Sequence, residues 1–165
     1  IIMGALSAFC ALYLFYQRQR DHHSKTDFGR QSYVVDIKTK TIKNNTFRTV
    51  IWTGQQLQVT VMSIPVGQDI GLEAHKNIDQ FLRIEQGKAL VQMGKFEDNL
   101  TFERKAKEDS AIVVPAGMYH NIINTGKTPL KIYSIYAPAE HPYGAIHKTA
   151  HDADRAELAE LIEDD

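Results

Sequence analysis

Short β-type runs separated by turn residues govern what this chain of 165 residues can fold into. Runs rich in Val, Ile, Thr, Tyr and Phe occur at 33–37, 47–52, 57–64, 80–85, 89–93, 99–104, 111–114, 121–123 and 130–136. Gly54, Pro65, Gly67, Gly87, Gly94 and Gly126 punctuate them, where a strand must stop and the chain reverse. Several runs alternate, as in Val59-Thr60-Val61-Met62, the two-residue period of a sheet with one buried face. The spacing predicts an all-β sandwich or barrel rather than an alternating α/β domain. Only the tail breaks the pattern. Asp152 is placed to cap a helix running to Ile162, with Ala156, Leu158, Ala159, Leu161 and Ile162 available to pack on the barrel.

A chain of this length supports one domain with its own core plus short extensions. Its 19 basic and 20 acidic side chains nearly cancel, which leaves no net basic surface of the kind nucleic acid requires. The single cysteine, Cys10, excludes an intrachain disulfide and a cysteine-based zinc site. Any metal must therefore be held by imidazole, carboxylate or amide oxygen.

Residues 1–16 are apolar except for Ser7 and the hydroxyls of Tyr13 and Tyr16, and Gln17-Arg18-Gln19-Arg20-Asp21-His22-His23 follows abruptly. The run falls short of the roughly 20 residues that span a bilayer. The chain opens on Ile rather than Met, which leaves room for more of the segment upstream. Residues 1–16 are read as a membrane anchor or signal-like segment, ahead of a buried element; no small-x-small cleavage site follows Tyr16. With Arg18, Arg20 and Lys25 behind it, the positive-inside rule puts the barrel on the cytoplasmic side of a membrane. The alternative is a soluble or secreted protein after removal of the segment. Residues 17–31 read as a polar linker, 32–150 as the barrel, and 151–165 as the helix with its acidic tail.

Two motifs carry the chemistry. The first is Gly67, Glu73, His75, Gln80 and Gly87; the second is Pro115-Ala116-Gly117-Met118-Tyr119-His120, closed by Asn124. They resemble the two halves of the cupin family's metal-site pattern. That pattern is a glycine, five residues, His-x-His, three or four residues, Glu, six residues and a glycine. Its second half is Gly, five residues, Pro-x-Gly, two residues, His, three residues and Asn. Every spacing of the first half is met here, with Glu73 in place of the first His and Gln80 in place of the Glu. Asp109 stands where the second half opens on Gly. An alignment starting at His75 leaves too few residues between Asn77 and Gln80. The resemblance covers roughly residues 46–138 and implies a jelly-roll β-barrel.

Carried over position by position, the resemblance implies metal ligands at Glu73, His75, Gln80 and His120. Glu73 and His75 are two residues apart and share a strand face. Two imidazoles, one carboxylate and a neutral amide oxygen suit a divalent ion such as Fe, Mn, Ni or Zn. The amide is the weak member. Two states satisfy this set: a bound divalent metal, which the convergence of two histidines and a carboxylate favours, or a metal-free pocket in which Glu73 and Gln80 hydrogen-bond each other.

The remaining candidates are less specific. His141 and His147 lie in the segment 141–149, which reads as a lid or barrel edge able to reach a substrate. Asn124 is read as fixing a turn, and Arg83 as an anion ligand only if it points inward. Trp52, Phe81 and Met93 read as core, and His22 and His23 as inert. The leading functional expectation is a metal-binding cupin acting as an enzyme on a small polar molecule, with dioxygenase, isomerase or decarboxylase chemistry all within the family. The runner-up is a non-enzymatic module that binds a small ligand, with or without metal. No catalytic residue is assigned, and the resemblance implies a homodimer.

Overall fold

The structure is a computed structural model, and residues 26–163 are described. Helix α1 (Ile37–Lys43) precedes β1 (Arg48–Thr53), β2 (Gln58–Ile64), β3 (Asp79–Gln86), β4 (Lys88–Gly94), β5 (Phe102–Lys107), β6 (Ala111–Val114), β7 (Tyr119–Asn124), β8 (Leu130–Ala137) and β9 (Ile146–His147). Helix α2 (Ala150–Glu163) closes the chain. Nine strands form two antiparallel sheets, ordered β6-β3-β8-β2-β1-β9 and β5-β4-β7 among the described residues. This is the jelly-roll architecture that the motifs implied.

Alternation decides which side chains enter the barrel. Inward positions run Gln58, Thr60, Met62 and Ile64 along β2, and Leu130, Ile132, Ser134 and Tyr136 along β8; all are buried. On β3 they are Gln80, Leu82 and Ile84, with Gln80 opposite Tyr136. The apolar members join Ile112, Val114 and Ile122 in one core. Burying each such side chain contributes about 1.5–3 kcal/mol. The polar members gather at the other end of the same strands, and that end carries the candidate site.

The turns explain the motif glycines. Gly87, between β3 and β4, has φ +105°, and a Cβ there would crowd Leu130. Asp109 occupies the position where the motif calls for glycine and adopts φ 69°, the left-handed region that Asp tolerates better than most residues.

Some expectations need correction. Residues 33–37 form no strand, and α1 begins at the end of that run, with the Asp36 carboxylate accepting from the Thr39 N–H at 3.0 Å. Residues 26–31 pack against β1: Phe28 donates to the Ile51 carbonyl at 2.9 Å, and the Asp27 carboxylate accepts from Thr53 at 2.7 Å and from the Gly144 N–H at 2.9 Å. Thr149 rather than Asp152 caps α2. Its hydroxyl accepts from the Asp152 N–H at 3.2 Å while the Asp152 carboxylate accepts from the Thr149 N–H at 3.0 Å, a reciprocal capping box. Ala153 is the buried helix residue and Leu158 is exposed; the side chains of Leu161 and Ile162 lie outside the described set.

The membrane anchor was expected at residues 1–16, which lie outside the described residues, as do His22 and His23. Among the described residues no helix is long and apolar enough to cross a membrane. The expectation of a membrane-anchored protein is corrected on that finding.

Candidate metal centre

Backbone pairing brings the two motifs together before any side chain is considered. Glu73 and His120 exchange N–H···O bonds at 3.1 and 2.9 Å, an isolated bridge that extends the small sheet beyond β7. The Gly117 N–H donates to the His75 carbonyl at 2.8 Å, and the Ala116 N–H donates to the Asp79 carboxylate at 2.9 Å. The Pro-x-Gly turn therefore docks on the segment that carries His75. This fixes the distance between motifs that are far apart in sequence.

Glu73, His75 and His120 converge. Glu73 Oε1 lies 3.3 Å from His75 Nε2 and 3.3 Å from His120 Nε2, and the three ligand atoms fall within 4.8 Å of one another. All three are buried and without a hydrogen-bond partner among the described residues. Both rings are already oriented from behind. His120 Nδ1 donates to the Met118 carbonyl at 3.0 Å, since a carbonyl can only accept. His75 Nδ1 lies 2.9 Å from Glu140 Oε1 and donates to it. In the neutral rings, each Nε2 then presents a lone pair toward an anionic oxygen, an arrangement that repels unless a cation or a proton sits between them.

The titration behaviour agrees. Burial works to raise the Glu73 carboxyl, but His120 and His75, with the nearby Arg48 guanidinium, hold it well below the usual carboxylate range. Burial works to lower His75, but the Glu140 and Glu73 carboxylates outweigh it and push the imidazole up to about 9. Without a metal, a proton serves in its place.

Gln80 reaches the same end of the barrel from β3 and is 1% exposed. Its Nε2 donates to Ser134 Oγ at 3.0 Å, while Oε1 has no partner among the described residues. No hydrogen bond joins Gln80 to Glu73 among the described residues. The amide is anchored through its nitrogen and leaves its oxygen, the atom that can ligate, unused. The converging atoms of Glu73, His75 and His120 fit a divalent cation: one carboxylate oxygen and two imidazole nitrogens, buried and within 4.8 Å of one another.

Residues outside the motifs complete the surroundings. Arg48, on β1, is 1% exposed; Nη2 lies 3.7 Å from Glu73 Oε2 and Nη1 lies 3.2 Å from Glu157 Oε1 on α2. Gln58 spends both ends of its amide on the loop after β8, accepting from the His141 N–H at 2.9 Å and donating to the His141 carbonyl at 2.7 Å. That clamp holds Glu140 behind His75. Tyr136 packs edge-on against both His75 and His141, with ring centroids 5.6 and 5.0 Å apart. Burial, with the Arg48 charge, pulls His141 down to about 3, so the ring is neutral. Burial also raises the Tyr136 phenol far above its ordinary value.

His141 and His147 thus belong to the barrel mouth, and His147 pairs with Arg48 across β1 and β9. Arg83 faces outward and pairs with Glu85 and Asp109. Asn124 is structural: Nδ2 donates to the Ile64 and Thr128 carbonyls, each at 2.9 Å. Met93 joins the core, whereas Trp52 and Phe81 sit half-buried on the outer face of the large sheet. Arg48, Tyr136 and Glu140 escaped the sequence reading because they lie outside both motifs. Polar residues at inward positions of β-runs are the signal that would have found the first two.

The fold and the paired motifs define a small β-barrel protein with a buried ligand cluster at one end. The cupin domain family matches residues 60–136. The uncharacterized Bacillus subtilis protein YrkC is 60% identical over 131 residues, covering 79% of this chain and 70% of its own. An uncharacterized protein of Acanthamoeba polyphaga mimivirus is 43% identical over 117 residues, covering 70% of this chain and 71% of its own. A crystal structure of the Bacillus halodurans protein BH2720 superposes with a TM-score of 0.79 at 54% identity, over 79% of this chain and 99% of that one. The chain belongs to the cupin family.

Proposed function

We propose that this cupin binds a divalent metal through Glu73, His75 and His120, with Gln80 at the fourth position, and acts as an enzyme on a small polar molecule. The observation that carries the proposal is the convergence of three buried ligand atoms within 4.8 Å of one another, none with a hydrogen-bond partner outside their own cluster among the described residues. Iron, manganese, nickel and zinc all accept such ligands. When bound, a divalent ion supplies Lewis acidity, and iron adds redox chemistry. The chain's own residues do the rest. Glu140 and the Met118 carbonyl fix the tautomers of His75 and His120. Glu73 keeps its charge, and Gln80 is an amide on a short tether that can yield a coordination position.

The reaction class follows from which ion is native. The metal-free protein would be loaded separately with each of the four ions and given small acids, sugars and polyols. Oxygen uptake, carbon dioxide release and isomer formation would be followed. The proposal expects turnover with one ion, lost on chelation and in a folded His120→Ala variant. Tight ligand binding without turnover in every loaded form would support the non-enzymatic module instead.

A further inference from the structure

Buried polar atoms without partners do not stop at the metal ligands. Arg48 Nε, Thr60 Oγ1, Tyr136 OH, His141 Nε2 and His147 Nδ1 are also buried and make no well-formed hydrogen bond among the described residues, the Ser134 hydroxyl being the polar neighbour of the Tyr136 phenol. They belong to one neighbourhood. Arg48 pairs in register with His147, and its guanidinium lies beside Glu73. Tyr136 packs on His75 and His141, and His141 packs on His147 with ring centroids 6.3 Å apart. Thr60 faces inward from β2, opposite Ser134 on β8.

The two sets of atoms differ in chemistry. With a cation bound, Glu73 Oε1, Gln80 Oε1 and the Nε2 atoms of His75 and His120 serve only as acceptors or ligands. Arg48 Nε can only donate, and the Tyr136 and Thr60 hydroxyls and a neutral imidazole can donate as well. A buried donor with no acceptor costs about 1–3 kcal/mol, so a cluster of them is expensive to keep unfilled. The donor set calls for an acceptor-rich guest beside the cation. Arg48 is permanently charged, and a divalent ion with only Glu73 as an anionic ligand keeps net positive charge. Glu157 and Glu140, which balance these charges, are 51% and 29% exposed in their side chains and are screened by water.

We infer that the end of the barrel formed by Arg48, Thr60, Tyr136, His141 and His147 is the binding site for the carboxylate group of a small organic acid. The inference rests on the metal reading for the placement of the guest, and it names the substrate class of that same site. Arg48 Nε–H and the Tyr136 hydroxyl donate to the carboxylate oxygens, with the His141 and His147 rings as walls that also bond. A neutral sugar would bring no negative charge to the cation and Arg48, whose counter-charges beyond Glu73 are the partly exposed Glu157 and Glu140, and a phosphate would want more than one cationic side chain.

The test titrates purified full-length protein with acetate, pyruvate and malonate and with the amides of the same acids, by calorimetry, with and without metal. Metal content is measured on every sample. The wild type should prefer at least one carboxylate over its amide by about tenfold or more, the worth of a charge-assisted hydrogen bond. Tyr136→Phe removes only the hydroxyl. Arg48→Lys keeps a cation near Glu73 and Glu157 but removes Nε–H. Each should weaken carboxylate binding by about tenfold while the metal content stays at the wild-type level. Metal uptake with no discrimination between acid and amide, or unchanged affinity in both variants, overturns the inference and leaves the metal reading standing. Carboxylate binding through Arg48 and Tyr136 in a protein that takes up no metal supports the inference and removes the metal reading alone.

Discussion

The two ends of the barrel interior are built by the same strands and obey opposite rules. Along β2 the inward residues pass from Gln58 and Thr60 to Met62 and Ile64; along β8 they pass from Tyr136 and Ser134 to Ile132 and Leu130. On β3 the passage is from Gln80 to Leu82 and Ile84, and on β7 from His120 to Ile122. At the apolar end the inward side chains of these strands pack on neighbours of their own kind. At the polar end lie most of the buried side-chain polar atoms that lack a partner among the described residues. The contrast teaches where stability and function were separated: one end holds the strands in register, so the other can tolerate unsatisfied groups.

Breaking the apolar end should have the largest effect on folding. Leu82→Ala or Ile132→Ala should lower the unfolding free energy by about 2–5 kcal/mol in urea titrations, while folded protein retains the wild-type metal content. The polar end should behave the other way. Glu73→Gln keeps the shape but removes the anionic ligand. Its metal affinity should fall by more than the roughly 10–100-fold that losing an outer partner costs, measured by competition with a chelator, with a folded circular dichroism spectrum. Glu140→Ala, which leaves His75 in place but releases its Nδ1, should fall within that roughly 10–100-fold range itself.

The acidity of His75 sharpens the same contrast. Its imidazole is raised from 6.5 to about 9 in the metal-free protein. The stability this contributes is fully present below 6.5 and is lost as pH rises through about 9. A metal displaces the Nε2 proton, so metal affinity should rise across that same window. Thermal melts of metal-free and loaded protein at several pH values should therefore diverge, the metal-free melting temperature falling as the gain on loading grows. The smallest effect is expected at Ser134→Ala, which leaves the buried Gln80 Nε2 without its acceptor: about 1–3 kcal/mol of stability by urea titration.

Much of the fold was legible because strand alternation is a local property. The run at 111–114 coincides with β6, the run at 80–85 falls one residue short of β3 at each end, and the run at 130–136 falls one residue short of β8 at its end. Helix α1 was not legible, since Ile37-Lys38-Thr39-Lys40-Thr41-Ile42-Lys43 is rich in β-branched residues and Asp36 at its cap was the only local clue. The convergence of Glu73, His75 and His120 was legible through motif spacing, because turns and backbone bridges set by that spacing fix the distances. Arg48 and Tyr136 were not, because they reach the site through strand pairing across the whole barrel. Glu140 and His141 depend on the Gln58 clamp, which links residues more than 80 apart in sequence. No local pattern records such a contact.

The central claim is that the polar end is organised around a divalent cation. Its most direct test is metal content by mass spectrometry on full-length protein purified without chelator or affinity-tag metal, with folded Glu73→Gln and His120→Ala variants alongside. The account predicts near-stoichiometric iron, manganese, nickel or zinc in the wild type and a loss of most of it in both variants. A wild type that is empty as purified and takes up none of the four ions on reloading would contradict it.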